Sequence, residues 1–371
     1  METDPGASMR HRRLLCIVFV LTLASLAAAC GGSVTAGDGS SPAVTLSPLP
    51  GPGVLAYEHM KALDAIGARV AGGPAESKAR DYIVRQLESY GYDVSVQDFL
   101  VRRKDGPSLN SANIVATKTG TMAQASAETP APWIIVGAHY DSVKVGHGAF
   151  DNGSGVGVML EMARRLAGVG LPYTIEFVAF GAEEVGYKGS RQFFDDHVAD
   201  QPARVFLMVN LDSVAGGDKL YLYGADTPQG RADTRMELEA AHGADLPFHT
   251  NPGLNPDYPR GTTGDWSDHR WFNKADIPFL YLEATNWNLG DKDGYVATRK
   301  AGELWHTKDD TLAFIEETFP GRLPRQLAAD VELLQAVLVD LYGDEALWTP
   351  LSGDSGASGS PAPGASVPVT P

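Results

Sequence analysis

Three apolar runs in the sequence are each followed by side chains of the kinds that bind metal ions. Residues 133–136 precede His139 and Asp141. Residues 175–180 precede Glu183 and Glu184, and residues 205–209 precede Asp212. Runs of this kind suit strands buried on both faces of a parallel sheet. In open α/β sheets, ligands bind beyond the carboxyl ends of the strands. The pattern therefore predicts one shared crevice in which these side chains meet.

His139 and Asp141 are two positions apart. Residues at this spacing face the same way in an extended segment. Asp141 can then accept a hydrogen bond from one imidazole nitrogen while the other nitrogen binds a metal ion. A lone histidine after a strand is more often structural, but the downstream carboxylates favour a ligand here.

Glu183 and Glu184 are adjacent carboxylates, which repel each other in a buried site unless a cation lies between them or one holds a proton. A metal ion with an activated water answers this requirement, since one glutamate binds the ion and the other accepts the proton. The alternative is an exposed acidic turn, which the preceding apolar run disfavours.

Asp151 lies in a glycine-rich segment, residues 146–155, just ahead of a helical pattern. Glycine lets the backbone pass close to an ion. Taken alone, however, the position favours a helix N-cap.

Asp212 and His306 complete the candidate ligand set. A cap for the next helix is expected at Asp309, Asp310 or Thr311.

Five other histidines are interpreted as surface or structural residues: His147, His197, His242, His249 and His269.

The elements that must position these residues alternate along the chain. Residues 75–90 and the apolar positions between 156 and 166 have helical periodicity, and residues 93–101 and 112–116 are typical of strands. The predicted fold is α/β, a three-layer α/β/α sandwich with a mixed, largely parallel central sheet. No G-x-S-x-G elbow, P-loop, dinucleotide fingerprint or H-E-x-x-H signature is present.

Composition narrows the function classes further. The net charge of −16 argues against nucleic acid as a partner. Both cysteines, Cys16 and Cys30, lie within the first 30 residues, so the remaining chain offers no internal disulfide or catalytic thiol. No obligate protein partner is evident from the sequence.

The two ends of the chain differ from its body. A basic segment and a 16-residue apolar run precede Cys30, and residues 27–30 resemble the end of a bacterial lipoprotein signal. We predict a signal peptide over residues 1–29, a lipidated Cys30 with a flexible tether over 30–53, a catalytic domain over 54–348 and a disordered tail over 349–371. The protein would be exported and either anchored to the outer face of the cell membrane or secreted. An ordinary cleaved signal is the alternative.

Five motifs in combination resemble the co-catalytic di-zinc aminopeptidases of the bacterial leucyl aminopeptidase and aminopeptidase Y type. They are GAHYDS (137–142), GAFDNGSG (148–155), FGAEEVGYKGS (180–190), NLDSV (210–214) and WHTKDDT (305–311). The resemblance covers roughly residues 60–345 and implies a zinc-exopeptidase-like fold. It also implies two Zn²⁺ ions bridged by Asp151. His139 and Asp212 would complete the coordination of one ion, and Glu184 and His306 that of the other. Glu183 would be the general base.

Three motifs in the last third of the chain are NPGLNPDYPRGT (251–262), EATNWNLGDKDGY (283–295) and FPGRLPRQ (319–326). They are similar to those of the alkaline phosphatase isozyme conversion aminopeptidases, and this resemblance implies trimming of exported proteins at a basic N-terminal residue. The segment WSDH (266–269) departs from that subgroup and is nearer to the wider aminopeptidase family. Resemblance to the wider family implies that Asp268 lines the substrate pocket and that the Asp151–Asn152 peptide bond is cis. Trp305 occupies the place of a tyrosine that steadies the tetrahedral intermediate in many family members, so we group it with the substrate-binding residues.

The function implied is hydrolysis of the N-terminal peptide bond of peptides or proteins with a free N-terminus, through a water held between the two zinc ions. A basic or a large apolar N-terminal residue would be preferred. Three alternatives remain: a glutaminyl cyclase, which shares the fold and a tryptophan at the position of Trp305; an amidohydrolase of the aminoacylase type; and a non-catalytic binding lipoprotein.

Overall fold

The computed structural model describes residues 47–103, 106–124 and 132–343. By its contacts the chain divides into two units, residues 1–43 and 44–371, and all the described residues belong to the second. The predicted signal peptide, Cys30 and the predicted tail lie outside the described residues. Among those that are described, none of the helices has the length and apolar character needed to cross a membrane.

Within the described ranges, eight strands form one mixed sheet. They are β1 (Asp93–Val101), β2 (Leu109–Lys118), β3 (Trp133–His139), β4 (Thr174–Phe180), β5 (Val205–Leu211), β6 (Lys219–Tyr223), β7 (Phe248–His249) and β8 (Phe279–Thr285). Their spatial order is β1-β2-β4-β3-β5-β8-β6-β7. The central strands β4, β3, β5 and β8 run parallel, whereas β2 and β6 join them in the antiparallel direction. The predicted mixed sheet is confirmed, and each predicted strand is present.

The helices of the described chain cover both faces of this sheet. They are α1 (Val54–Asp64), α2 (Pro74–Ser89), α3 (Ser154–Leu166), α4 (Lys188–Phe193), α5 (Pro228–Gly243), α6 (Arg270–Asn273), α7 (Leu312–Thr318) and α8 (Arg322–Gln335). The two predicted helices correspond to α2 and α3.

In the described chain, the sheet separates the two larger of three hydrophobic clusters, and this arrangement gives three layers. Along β3, Ile134 and Val136 pack into a core shared with α1, α2, α3 and α8, whereas Ile135 packs with Phe193 of α4 and Phe272 of α6. Neighbouring residues of a strand point to opposite faces. The continuous apolar run of β3 is thus explained by burial on both sides, and the predicted three-layer α/β/α sandwich is confirmed.

A buried carboxylate joins the start of the described chain to α3. Glu161 of α3 is fully buried and accepts hydrogen bonds from the backbone N–H groups of Gly53, at 3.1 Å, and Ala56, at 2.8 Å. It therefore satisfies the first turn of α1, which has no side-chain cap of its own. Arg165 donates to Glu161 and to the backbone oxygen of Pro50, at 3.0 Å. The last residues of the predicted tether therefore contact α3.

Candidate metal centre

The ends of β4, β3 and β5 lie side by side, because these strands are adjacent and parallel. His139 is the last residue of β3, Asp212 follows β5 directly, and Glu183 lies three residues beyond the end of β4. The predicted crevice is thus formed from the predicted side chains.

Five of these side chains form two groups that share Asp151. In the first group, Nε2 of His139 lies 3.1 Å from Oδ1 of Asp151 and 3.4 Å from Oδ1 of Asp212. In the second, Nε2 of His306 lies 3.5 Å from Oδ2 of Asp151 and 2.8 Å from Oε2 of Glu184. Each oxygen of Asp151 therefore faces a different histidine.

The donor atoms in each group fit a zinc ion. Tetrahedral zinc with bonds of about 2.0–2.1 Å to nitrogen and oxygen places its ligand atoms about 3.3 Å from one another. Three of the four distances above lie within 0.2 Å or so of that value, and in each group all three donor atoms lie within 4.8 Å of one another. Imidazole and carboxylate are also the ligand types that zinc accepts.

Clustered charge in the centre perturbs the titration of its members. Burial raises the pKa of Glu183 well above its usual range, although His139 opposes the shift. Burial, followed by the charge of Asp151, raises the pKa of Glu184 to about 7. The hydrogen bond to Glu184 raises the pKa of His306 to about 9. A cation bound among these carboxylates would favour their charged forms and so oppose the rise in the pKa of both glutamates.

Asp141 orients the two glutamates. Its carboxylate accepts hydrogen bonds from the backbone N–H groups of Glu183, at 2.9 Å, and Glu184, at 3.2 Å. Nδ1 of His139 lies 3.6 Å from that carboxylate, too far for a hydrogen bond, and 3.3 Å from the backbone oxygen of Asp141. At 3.6 Å the predicted hydrogen bond between the two side chains is not formed, and the carboxylate instead binds two N–H groups of the loop after β4.

Asp151 is not the N-cap of α3, so the alternative role for this residue is wrong. It lies in a segment with non-helical backbone angles, and the Asp151–Asn152 peptide bond is cis, as the resemblance implies. The side chain of Asn152 serves the first turn of α3 instead, since its oxygen accepts hydrogen bonds from the N–H groups of Gly155 and Ser213. This leaves the Asp151 carboxylate to face the histidines.

The loop that carries Asp151 is held by Asp310, which the sequence suggested only as a helix cap, and by Arg69, which it did not suggest at all. The carboxylate of Asp310 accepts hydrogen bonds from the N–H groups of Phe150, at 2.6 Å, and Asp151, at 3.2 Å. The buried guanidinium of Arg69 donates to three backbone oxygens of the same loop, those of Tyr140, His147 and Gly148, each at 2.7 Å.

The sequence contains a signal for the role of Asp310 but none for the role of Arg69. Of the three residues predicted as caps, Thr311 caps α7, whereas the cap role predicted for Asp310 is wrong because its carboxylate binds the loop that carries Asp151. The position of Asp310 beside the predicted ligand His306 was an available signal. Arg69 had none, because its role depends on a contact about 75 residues away.

A cavity of about 450 Å³ opens beside the centre. Trp305 lines it, but the indole N–H donates to the backbone oxygen of Tyr295 at 3.0 Å. Asp268, by contrast, is fully buried and is not among the lining residues. Its neighbour Ser267, which sequence reasoning missed, donates to Oδ2 of Asp212 at 2.7 Å. Ser267 therefore supports the candidate ligand Asp212, whereas Asp268, contrary to what the resemblance implies, does not line the cavity.

A three-layer sandwich with histidine and carboxylate groups at its strand ends defines a metal-dependent hydrolase of the zinc-exopeptidase kind. The sequence model of Peptidase family M28 matches residues 113–329, more than half of the chain. The chain belongs to Peptidase family M28, and it is a zinc-dependent aminopeptidase.

Two curated relatives agree with this assignment. The alkaline phosphatase isozyme conversion protein of Escherichia coli (strain K12) is 34% identical over 300 residues, which cover 74% of this chain and 86% of the relative. Aminopeptidase YwaD of Bacillus subtilis (strain 168) is 34% identical over 185 residues, 50% of this chain and 37% of the relative.

Solved structures share the fold. The zinc aminopeptidase BSAP from Bacillus subtilis superposes with a TM-score of 0.63 at 20% identity, covering 81% of this chain and 97% of the other. A glutaminyl cyclase from Porphyromonas gingivalis superposes with a TM-score of 0.59 at 22% identity, covering 78% and 98%. At these identities the likeness establishes the architecture alone, so the reaction is argued from the site.

Proposed function

We propose that this chain removes single residues from the N-termini of peptides or exported proteins, with two zinc ions bridged by Asp151. His139 and Asp212 would hold one ion, and Glu184 and His306 the other. The observation that carries the proposal is the orientation of Asp151, whose two carboxylate oxygens face different histidines at 3.1 and 3.5 Å.

Bound zinc would polarise the scissile carbonyl and make a water acidic enough to attack it. Glu183, which is buried in the cavity wall and does not belong to either group around Asp151, would act as the general base. It would accept the proton from the attacking water and return it to the leaving amine. The backbone bond from Glu183 to Asp141 fixes the base on the loop after β4.

The negative charge of the cavity would favour cleavage at the N-terminus of a peptide over cleavage at internal bonds. Among the described residues, its lining holds no lysine or arginine and six carboxylates, two more than two Zn²⁺ ions would neutralise: Asp151, Glu183, Glu184, Asp212, Glu283 and Asp293. A free N-terminal ammonium would be attracted to this surface, whereas a blocked terminus would not. The first residue would be basic or large and apolar, since aromatic side chains form much of the remaining wall.

The experiment that tests this function compares pairs of peptides that differ only in a free or acetylated N-terminus. We expect the zinc-loaded protein to release the first residue from the free peptides, to leave the acetylated ones intact, and to lose activity with a chelator. Cleavage of acetylated peptides, or of internal bonds, would contradict the proposal.

A second candidate is the glutaminyl cyclase reaction, which the shared fold and the position of Trp305 favour. Peptides that begin with glutamine separate the two functions. A cyclase would release ammonia and keep every residue of the peptide, whereas an aminopeptidase would release free glutamine. We expect the second result.

We also propose that the protein is exported and carries a lipid on Cys30, with the catalytic domain over residues 54–348. The sequence around Cys30 supports this, although that segment lies outside the described residues. Cys30→Ser should shift the protein from the detergent phase to the aqueous phase in a detergent partition experiment. Partition that does not depend on Cys30 would contradict the lipid anchor.

A further inference from the structure

Two carboxylates of the cavity wall are neither proposed zinc ligands nor the proposed base. Glu283 and Asp293 line the same cavity as the metal centre, yet neither is part of the clusters of potential ligands found in the described chain. The proposed mechanism leaves both unused. In the described part of the chain, the lining offers no lysine or arginine to pair with them.

Glu283 is held rigidly on β8. Its Oε2 accepts a hydrogen bond from the hydroxyl of Tyr223 at 2.8 Å, and that hydroxyl accepts one from the indole of Trp287 at 2.6 Å. Tyr223 lies on β6, the antiparallel partner of β8. Oε1 of Glu283 receives no hydrogen bond from the described residues, so it is available to a ligand in the cavity.

Asp293 lies in the loop after β8, and this loop is also fixed. Oδ1 of Asp293 accepts a hydrogen bond from the N–H of Tyr295 at 3.0 Å. The next residue, Gly294, has a φ of +85° and packs so closely on Trp287 that a Cβ would lie 2.9 Å from its ring. The hydroxyl of Thr285 donates to the backbone oxygen of Gly294. Asp293 is therefore presented to the cavity by a supported turn.

Aromatic rings form the wall around these carboxylates: Tyr258, Trp266, Tyr281 and Tyr295. Ring faces attract a guanidinium or an ammonium group, and a carboxylate gives either group a charge-assisted hydrogen bond. An apolar side chain in the same place would bury the carboxylates without a partner, which is costly. The wall therefore discriminates between the two kinds of N-terminal residue considered above.

We infer that Glu283 and Asp293 recognise the cationic side chain of an N-terminal arginine or lysine. This inference rests on the proposed aminopeptidase function and deepens it. The rival role for these carboxylates is to hold the α-ammonium group, which every substrate shares. The two roles differ in one respect, since only side-chain recognition makes the effect depend on the charge of the first residue.

The test uses arginyl and citrullyl p-nitroanilides, because citrulline has nearly the shape of arginine without its charge. The wild-type enzyme should show a kcat/KM for the arginyl substrate about 10- to 100-fold higher, the range expected for one hydrogen bond to a charged group. Glu283→Gln and Asp293→Asn should each lower this ratio about tenfold or more. Asp291→Asn, at an exposed position of the same loop, is the matched control and should leave the ratio unchanged.

Both replacements retain an oxygen that can accept the bond from Tyr223 or Tyr295, which protects the fold. A readout without turnover comes from calorimetry on the Glu183→Gln protein, in which arginine amide should bind more tightly than citrulline amide. Equal losses on both substrates would assign the carboxylates to the α-ammonium and overturn the inference, as would an unchanged ratio. A wild-type protein inactive on every free peptide would instead refute the proposed function.

Discussion

The guanidinium of Arg69 should stabilise both the fold and the metal centre. It is fully buried and makes three hydrogen bonds of 2.7 Å to the loop that leads into Asp151. Arg69→Lys keeps the charge but replaces a planar fork of donors with a single ammonium group. We expect the lysine to retain one of the three bonds.

The size of the effect follows from the bonds that are lost. A hydrogen bond to a charged group contributes about 1.5–3 kcal/mol, so losing two should lower the free energy of unfolding by about 3 kcal/mol or more. A loosened support for a metal ligand typically weakens metal binding about 10- to 100-fold. At a fixed excess of zinc, the stabilisation gained from the metal should then fall by about 1.4–2.7 kcal/mol.

Urea unfolding with and without zinc measures both effects in the same protein. The matched control is Arg80→Lys on α2, where the side chain is partly exposed and bonds only to the adjacent Asp81 among the described residues. The control should resemble the wild type in both media. The reasoning is refuted if Arg69→Lys is as stable as the control, or if it loses stability while its gain from zinc is unchanged.

Three further predictions concern a catalytic, a buried and a capping residue. Glu183→Gln should retain bound zinc but lose at least about 10²-fold in kcat, and near-normal turnover would refute its role as base. Burial raises the pKa of Glu237 to about 8. The folded protein therefore binds the proton of this side chain more tightly than the unfolded chain does, and the stability that the proton contributes is lost as the pH rises from about 4.5 to 8. Glu237→Gln should therefore stabilise the protein by up to about 5 kcal/mol at pH 8 and hardly at all at pH 4, unlike the exposed Glu239→Gln on the same helix. Thr311→Ala removes the N-cap of α7 and should cost about 1 kcal/mol in thermal or urea unfolding, whereas the control Thr318→Ala at the other end of that helix should cost less.

The predicted strands and helices were found because their signal is local. Burial on both faces makes β3, β4 and β5 continuously apolar, and the ligands follow directly at the strand ends. The sequence therefore placed His139, Glu183 and Asp212 in one crevice without any knowledge of the loops between them.

Residues that support the fold or the site from distant parts of the chain have no comparable signal in the sequence. Glu161 satisfies α1 from another helix, and Arg69 reaches a loop far along the chain, so neither role is visible in the neighbouring residues. Asp141 shows an intermediate case. Its place beside the centre was predicted, but its partners were not, because they depend on how the loop after β4 folds back.

The role inferred for Glu283 and Asp293 was missed for a related reason. Glu283 lies in a strand and Asp293 in a turn ten residues later, and a carboxylate at either place is ordinary in sequence. Their meaning comes from sharing a cavity with aromatic rings contributed by distant segments such as Tyr258.

The most direct test of the central claim is the anomalous scattering of zinc-loaded crystals measured on both sides of the zinc absorption edge. Two peaks are predicted, one between His139 and Asp212 and one between His306 and Glu184, with Asp151 within bonding distance of both. A single peak, or zinc bound away from Asp151 in a fully active preparation, would contradict the account.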